Sequence, residues 1–209
     1  MTITLALLTF TLAAGLLTLT PGLDTALVLR TAVAEGSKRA TLAMVGILAG
    51  CFAWGTLVAF GLGAVLQASS LAFNILRWAG AGYLLWLGIG LILRPRDSFE
   101  VGAFDKIAPG SDTAWMRRGF LTNMLNPKIG VFYVSFLPQF LPTGVPPAPF
   151  MLLLTTIHIG LGAAWLGLLI VATQPIAKIL QRARVVRWLD RATGGIFLAF
   201  GLRLALERP

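Results

Sequence analysis

Residues 18–30 read TLTPGLDTALVLR. A proline, a glycine and an aspartate, Pro21-Gly22-Leu23-Asp24, stand inside a largely apolar run that ends at Arg30. Whether this run lies in water or in lipid decides the fold. The chain has 209 residues, 57% hydrophobic and only 12% charged, with a mean hydropathy of +0.84. A water-soluble domain of this length carries roughly twice that share of charge. The solvent for most of the chain is therefore lipid. In that setting a helix breaker and a carboxylate both need compensation, because freed backbone groups and charge are costly in hydrocarbon.

The N-terminal stretch MTITLALLTFTLAAGLLTLTPG has no basic n-region and too long an apolar run for a secretory signal, so it reads as the first span. A bilayer core needs roughly 20 apolar residues per helix. Six stretches meet that requirement, at about 3–29, 40–66, 71–93, 116–141, 148–173 and 186–206. The predicted fold is an all-α integral membrane protein of six transmembrane helices.

The net charge of +9 comes from seventeen basic residues, which sit at the ends of apolar runs. No basic stripe with interleaved aromatics lies outside those runs, so a nucleic-acid partner is not expected. Basic residues fill alternate connections. Segment 30–39 holds Arg30, Lys38 and Arg39, 94–118 holds Arg94, Arg96, Lys106, Arg117 and Arg118, and 174–187 holds Lys178, Arg182, Arg184 and Arg187. The connections between them, after Ala68 and at 142–149, carry none. The positive-inside rule puts the basic connections in the cytoplasm and both termini outside. Arg203 and Arg208 run against that assignment.

The segment 94–114 is the one substantial aqueous stretch, with four of the eight acids and a Pro109-Gly110 turn signal. It divides the chain into a first half, 1–93, and a second half, 115–209, each with three spans. An odd number of spans per half inverts one half against the other. GYLLWLGIGL (82–91) can be laid on GIFLAFGLRL (195–204), matching Gly82 with Gly195, Leu85 with Leu198, Gly88 with Gly201 and Leu91 with Leu204. Upstream, Arg77-Trp78 echoes Arg187-Trp188.

The fourth span has its own interruption, at Asn126-Pro127-Lys128. Pro127 follows the basic marker Arg118 by as many residues as Pro21 precedes Arg30. At 1.5 Å per residue each break lies about 13 Å from its basic end, near the bilayer centre. Proline removes one intrahelical hydrogen bond and clashes with the preceding turn, and Gly22 adds flexibility and close approach. Asp24 lies about one turn beyond Pro21. Broken helices at corresponding places in inverted halves point to a transporter's substrate site. A polar cavity in mid-bundle would answer both costs.

These stretches also resemble the LysE/RhtB-type amino-acid exporters. The likeness runs from TPGLDTALVLRTAVAEGSKRATLAMVGILAG through AGAGYLLWLGIGLIL and GFLTNMLNPKIGVFYVSFLPQF to GGIFLAFGLRLAL, nearly the whole chain. The Pro-Gly-x-Asp of span one and the Asn-Pro-Lys of span four carry it. The resemblance implies a multi-pass protein of the bacterial inner membrane that exports small amino acids or derivatives, driven by the proton gradient, without a cofactor. Many such sequences have a second proline where this chain has Leu23, so a milder break is expected here.

Within that frame the expected site comprises Pro21, Gly22, Asp24, Asn123, Asn126, Pro127 and Lys128. Asp24 either pairs with the substrate ammonium or carries the coupling proton. Lys128 either pairs with the substrate carboxylate or neutralises Asp24 in the empty site. A structural Asp24–Lys128 ion pair is the plain alternative. His158, the only histidine, is a further candidate as an intramembrane ionisable residue, though packing explains it as well. Asn123 either lines the cavity or bonds across helices. Asp190, beside Arg187 and Arg191, reads as an interfacial salt-bridge partner.

Other classes fare less well. Cys51 is the only cysteine, which excludes an intrachain disulfide, a cysteine-based metal cluster and a thiol relay. Ser135 lacks the small neighbours that expose a nucleophile, so no enzyme is expected beside His158. A metal-ion or other cation exporter needs more intramembrane ligands than Asp24 and His158 provide. A non-transporting interaction subunit leaves the broken helices unexplained. The Gly46-x-x-x-Gly50 spacing suits a homo-oligomer face or, within six helices, internal packing.

Overall fold

The computed structural model describes residues 2–68, 70–96, 111–173, 179 and 182–206. Positions 97–110 of the expected linker, Lys178 and Arg208 lie outside them. The described elements are helical: α1 (Ile3–Leu19), α2 (Leu23–Glu35), α3 (Ser37–Ala68), α4 (Ser70–Leu93), α5 (Asp112–Met124), α6 (Pro127–Val131), α7 (Pro147–Val171) and α8 (Ala183–Leu206). A π-helical turn at Phe132–Phe136 and a 3-10 turn at Leu137–Phe140 continue α6.

Two helices among the described residues, Ser37–Gly61 and Pro147–Val171, are long and apolar enough to cross a membrane. The α1–α2 pair makes a third candidate as a broken span, bent by 50°. Leucines such as Leu8, Leu12 and Leu168, together with Phe52, Phe60 and Trp86, are exposed. Such a surface is stable against lipid, not water. Threonine hydroxyls within it are satisfied by their own helix: Thr11, Thr18 and Thr56 each donate to the carbonyl four residues earlier. Between α2 and α3 the chain reverses at Gly36, whose φ of +86° belongs to the left-handed region that favours glycine.

The helix breaks here with Leu23 in place of a second proline, and the two parts bend by 50°. Helix α1 stops at Leu19 and α2 restarts at Leu23. Pro21 alone denies the amide that would continue the ladder, and Gly22 follows in an extended conformation, φ −149°. That conformation is open to any residue, so backbone freedom is not what Gly22 contributes. The fourth expected span is likewise not one helix, since α5 ends before Asn126 and α6 begins at Pro127.

Glycines set the helix crossings. A Cβ at Gly46 would lie 1.9 Å from the Met116 carbonyl oxygen, and one at Gly119 would lie 2.0 Å from that of Ala43. Helices α3 and α5 therefore touch backbone to backbone, and Lys38 bonds Asp112 at 2.6 Å at their shared starting end. The Gly46-x-x-x-Gly50 face is occupied within the chain. Helix α7 runs against α3 in the opposite sense, with Gly55 beside Thr155 and Gly162 beside Leu48.

Helices α4 and α8 cross antiparallel with a reciprocal pattern. A Cβ at Gly88 would meet Leu198 at 3.1 Å and the Gly194 carbonyl oxygen at 2.8 Å. One at Gly201 would meet Leu85 at 3.0 Å and the Ala81 carbonyl oxygen at 3.2 Å. Gly88 with Gly201 and Leu85 with Leu198 are pairs of the sequence alignment above, so each contact has its exchanged counterpart. Asp190, on α8, does form a salt bridge, but with Arg96 rather than its sequence neighbours. Its fully buried carboxylate accepts from Arg96 Nε at 3.0 Å, Nη2 at 2.6 Å and the backbone amide at 3.0 Å. This fork is the strong, oriented form of the pair.

Two apolar clusters fill the interior. One gathers Phe10, Phe132, Phe136, Phe140 and Leu154, the other Leu27, Leu29, Ile47, Leu166 and Val186. The broken helices meet where these clusters adjoin. Gly46→Ala forces α3 and α5 apart and lowers stability by about 2 kcal/mol. Gly61→Ala, on the same helix with open space around the new methyl, leaves the melting temperature in detergent unchanged or slightly raised. Equal melting of the two variants would contradict the backbone contact.

Candidate functional site: a cavity between two broken helices

Pro21 has no amide hydrogen, so the carbonyl of Leu17, its partner in an unbroken helix, is left without a donor. The Thr20 carbonyl is freed in the same way, because the chain leaves helical geometry at Thr20. Lys128 supplies both. Its Nζ donates to the Leu17 oxygen at 3.1 Å and to the Thr20 oxygen at 2.9 Å. The ammonium thus sits on the C-terminal, partially negative end of α1. An ammonium has three donors, and these bonds use two.

Lys128 is held there by the second break. Asn126 caps α6, its Oδ1 accepting from the Lys128 amide at 3.1 Å, and Pro127 takes the first helical position, where no amide is missed. Asp24 stands in the first turn of α2, at the partially positive end of that half-helix. One break therefore offers a negative helix end to a cation and a positive helix end to an anion.

Asp24 and Lys128 form no salt bridge with each other, so the structural ion pair is not the arrangement found. Asp24 Oδ2 accepts from Asn123 Nδ2 at 2.8 Å, and that amide also donates to Cys51 Sγ at 3.4 Å. Asn123 is fully buried and pressed against Gly50, where a Cβ would come within 2.6 Å of its Oδ1. Asp24 Oδ1 is buried and accepts no hydrogen bond. An unsatisfied buried polar atom costs about 1–3 kcal/mol, more when charged, so this atom marks a place prepared for a donor.

Both charged residues line a cavity of about 50 Å³. Leu17, Thr20 and Gly22 come from the first break, Ile47, Leu48 and Cys51 from α3, Asn126 and Ile129 from the second break. Helix α7 contributes His158, Gly162, Trp165 and Leu166, spaced along one face. The volume has room for a few waters. A Cβ at Gly22 would lie 3.7 Å from Lys128 Nζ, so what glycine leaves there is space beside the ammonium.

Of the residues expected from sequence, Gly22, Asp24, Asn126, Lys128 and His158 come together at this cavity. Asn123 stands behind Asp24, and Pro21 is buried at the break itself. Pro127 instead lines a separate groove with Trp54, Tyr83 and Ser135. His158 Nδ1 is 2.9 Å from the Tyr133 hydroxyl and its ring packs on Phe132. His158 and Ser135 line different hollows. Sequence reasoning missed the carbonyls of Leu17 and Thr20, the Thr20–Thr193 hydroxyl contact, Cys51 as an acceptor, and Trp165. None has a local signature.

The LysE type translocator family matches residues 16–208. The chain belongs to that family. It is 30% identical to a leucine efflux protein of Klebsiella pneumoniae, covering 95% of this chain and 93% of the relative. It is also 30% identical to a homoserine/homoserine lactone efflux protein of Salmonella typhimurium, over 95% of each. A membrane protein of Vibrio cholerae described as uncharacterized shares 30% identity over 96% of this chain and 97% of its own length. No solved structure matches the chain. The Klebsiella and Salmonella relatives are named as efflux proteins for leucine and for homoserine and its lactone, and the chain is a membrane protein of an amino-acid efflux family.

Asn123→Ala removes the donor that holds Asp24 and opens a hole beside Gly50. The expected loss is about 2 kcal/mol, read as a lower melting temperature of the purified protein. Unchanged melting would mean the amide does not hold the carboxylate.

Proposed function

We propose that this chain exports small, uncharged amino acids or close derivatives across the bacterial inner membrane. In this reading six spans form two inverted halves, 1–93 and 115–209, joined by the cytoplasmic linker 94–114, and both termini face outward. The reciprocal contacts of Gly88 and Gly201 support the inversion, since a two-fold relation between halves produces exchanged pairs of that kind. The Lys38–Asp112 and Arg96–Asp190 bridges tie together the ends of the basic connections, which suits a single cytoplasmic side.

One observation carries the transport reading: an acid and a base line the same buried cavity at two helix breaks without pairing with each other. An amino acid is a zwitterion and complements both. Asp24 Oδ1 takes the substrate ammonium or the coupling proton, and the unused donor of Lys128 faces the substrate carboxylate. No further charge among the described lining residues answers a charged side chain, whereas Leu17, Ile47, Leu48 and Leu166 suit an apolar one. The relatives named for leucine and homoserine efflux accord with this. Loading requires the cavity to widen, as alternating access demands. A metal-ion exporter fits less well, because Asp24 is the single carboxylate among those residues and the Lys128 ammonium repels a cation.

The test is efflux from proteoliposomes with an imposed proton gradient, across a panel of amino acids. Wild type is expected to move neutral amino acids and not lysine or arginine. Asp24→Asn and Lys128→Met, each eluting as folded protein, are expected to lose at least about tenfold in rate, the effect of about 1.4 kcal/mol. Full transport by both folded variants would refute the site.

A further inference from the structure

Trp165 is absent from the site expected by sequence, yet its position in the fold is distinctive. It lines the cavity beside Gly162 and Leu166 on α7. Its indole Nε1 is buried and donates to nothing, as is true of Trp54 and Trp115, but of the three only Trp165 lines this cavity. Indole nitrogen is a donor only, and tryptophan is ordinarily placed where that donor finds a partner. At the same cavity Asp24 Oδ1 is a buried acceptor with no donor. Two residues that line the cavity, one on α7 and one on α2, therefore carry an unused neutral donor and an unused anionic acceptor. The Lys128 ammonium is already bound to the Leu17 and Thr20 carbonyls, which leaves it one donor for a carboxylate that accepts at two oxygens.

We propose that Trp165 is a substrate-binding residue whose indole N–H donates to the substrate's carboxylate, completing its coordination beside Lys128. This rests on the amino-acid reading of the site above. The tryptophan ring at the same time forms part of the apolar wall, so one residue both fixes the carboxylate and bounds the space for the side chain. Asp24, the acceptor, recognises the other end of the molecule. The two residues then separate the two charges of a zwitterion, and a ligand lacking one charge loses one of them.

The experiment measures equilibrium binding of L-leucine and of 3-methylbutylamine, its analogue without the carboxylate, to purified full-length protein in nanodiscs. Trp165→Phe keeps the ring and deletes the donor. It is expected to weaken leucine binding about tenfold, the scale of a lost hydrogen bond to a charged group, and to leave the amine's affinity at its wild-type value. Asp24→Asn is expected to weaken both ligands. Trp165→His, which keeps a ring N–H, is expected to bind leucine more tightly than Trp165→Phe, and it gives the same comparison if Phe disturbs the fold. Wild-type leucine affinity in Trp165→Phe, or equal weakening of leucine and amine, overturns the role of Trp165 while leaving the exporter reading in place. Wild-type protein that binds neither ligand overturns both.

Discussion

The bond from Lys128 to the carbonyls of Leu17 and Thr20 is the constraint around which the rest is arranged. A proline in a membrane helix leaves acceptors that lipid cannot satisfy. Water, a hydroxyl or an amide could serve, but here the donor is an ammonium from another broken helix. Each break thereby answers the other: the first supplies acceptors, and the second supplies the cation and the Asn126 cap that aims it. The end of α1 is satisfied by the second break, while α6 is capped by Asn126 within its own. The breaks are one structural unit, although more than a hundred residues separate them in the chain.

That unit also sorts charge. The C-terminal end of α1 and the N-terminal end of α2 face the same space with opposite partial charges. Lys128 occupies the first and Asp24 stands at the second, with Asn123 holding only one of its oxygens. A direct Asp24–Lys128 pair would cancel both fields and leave little for a ligand. The observed arrangement keeps the two charges apart, each bound to a partner other than the other. Apolar side chains of both clusters line the cavity, and they strengthen these interactions by lowering the local dielectric.

How far the sequence alone reached follows from the range of each signal. Pro21, Gly22 and Asn126-Pro127 were legible because helix breaking is a local property of backbone chemistry. The lipid setting was legible because it is a property of composition. Partners were not legible. Lys128 and Asp24 were both identified, but that the lysine binds carbonyls and the aspartate binds Asn123 depends on how α5, α6 and α1 are rotated. Asp190 was read as a salt-bridge residue, yet its neighbours Arg187 and Arg191 face elsewhere and Arg96 reaches it across the bundle. Trp165 is one of six tryptophans, and nothing in its neighbourhood distinguishes a wall residue from one facing lipid. Of the two reasons for expecting Gly22, backbone freedom is not used, whereas close approach is, since Lys128 Nζ lies beside it.

The walls of the cavity are not equivalent in how they are held. On one side α3 lies against α5 through Gly46 and Gly119 at backbone contact, and Gly50 lies against Asn123, a packing with no side-chain slack. The opposite wall is the break between α1 and α2, three residues long, fixed by hydrogen bonds from Lys128 and by the hydroxyl contact between Thr20 and Thr193. Backbone contact at a glycine yields only when whole helices separate, whereas side-chain hydrogen bonds exchange one partner for another at little cost if a substitute is present. A substrate carrying its own ammonium and carboxylate brings such substitutes. The wall richest in replaceable bonds is thus the one that carries Asp24, and the rigid wall is the one that positions Asn123 behind it.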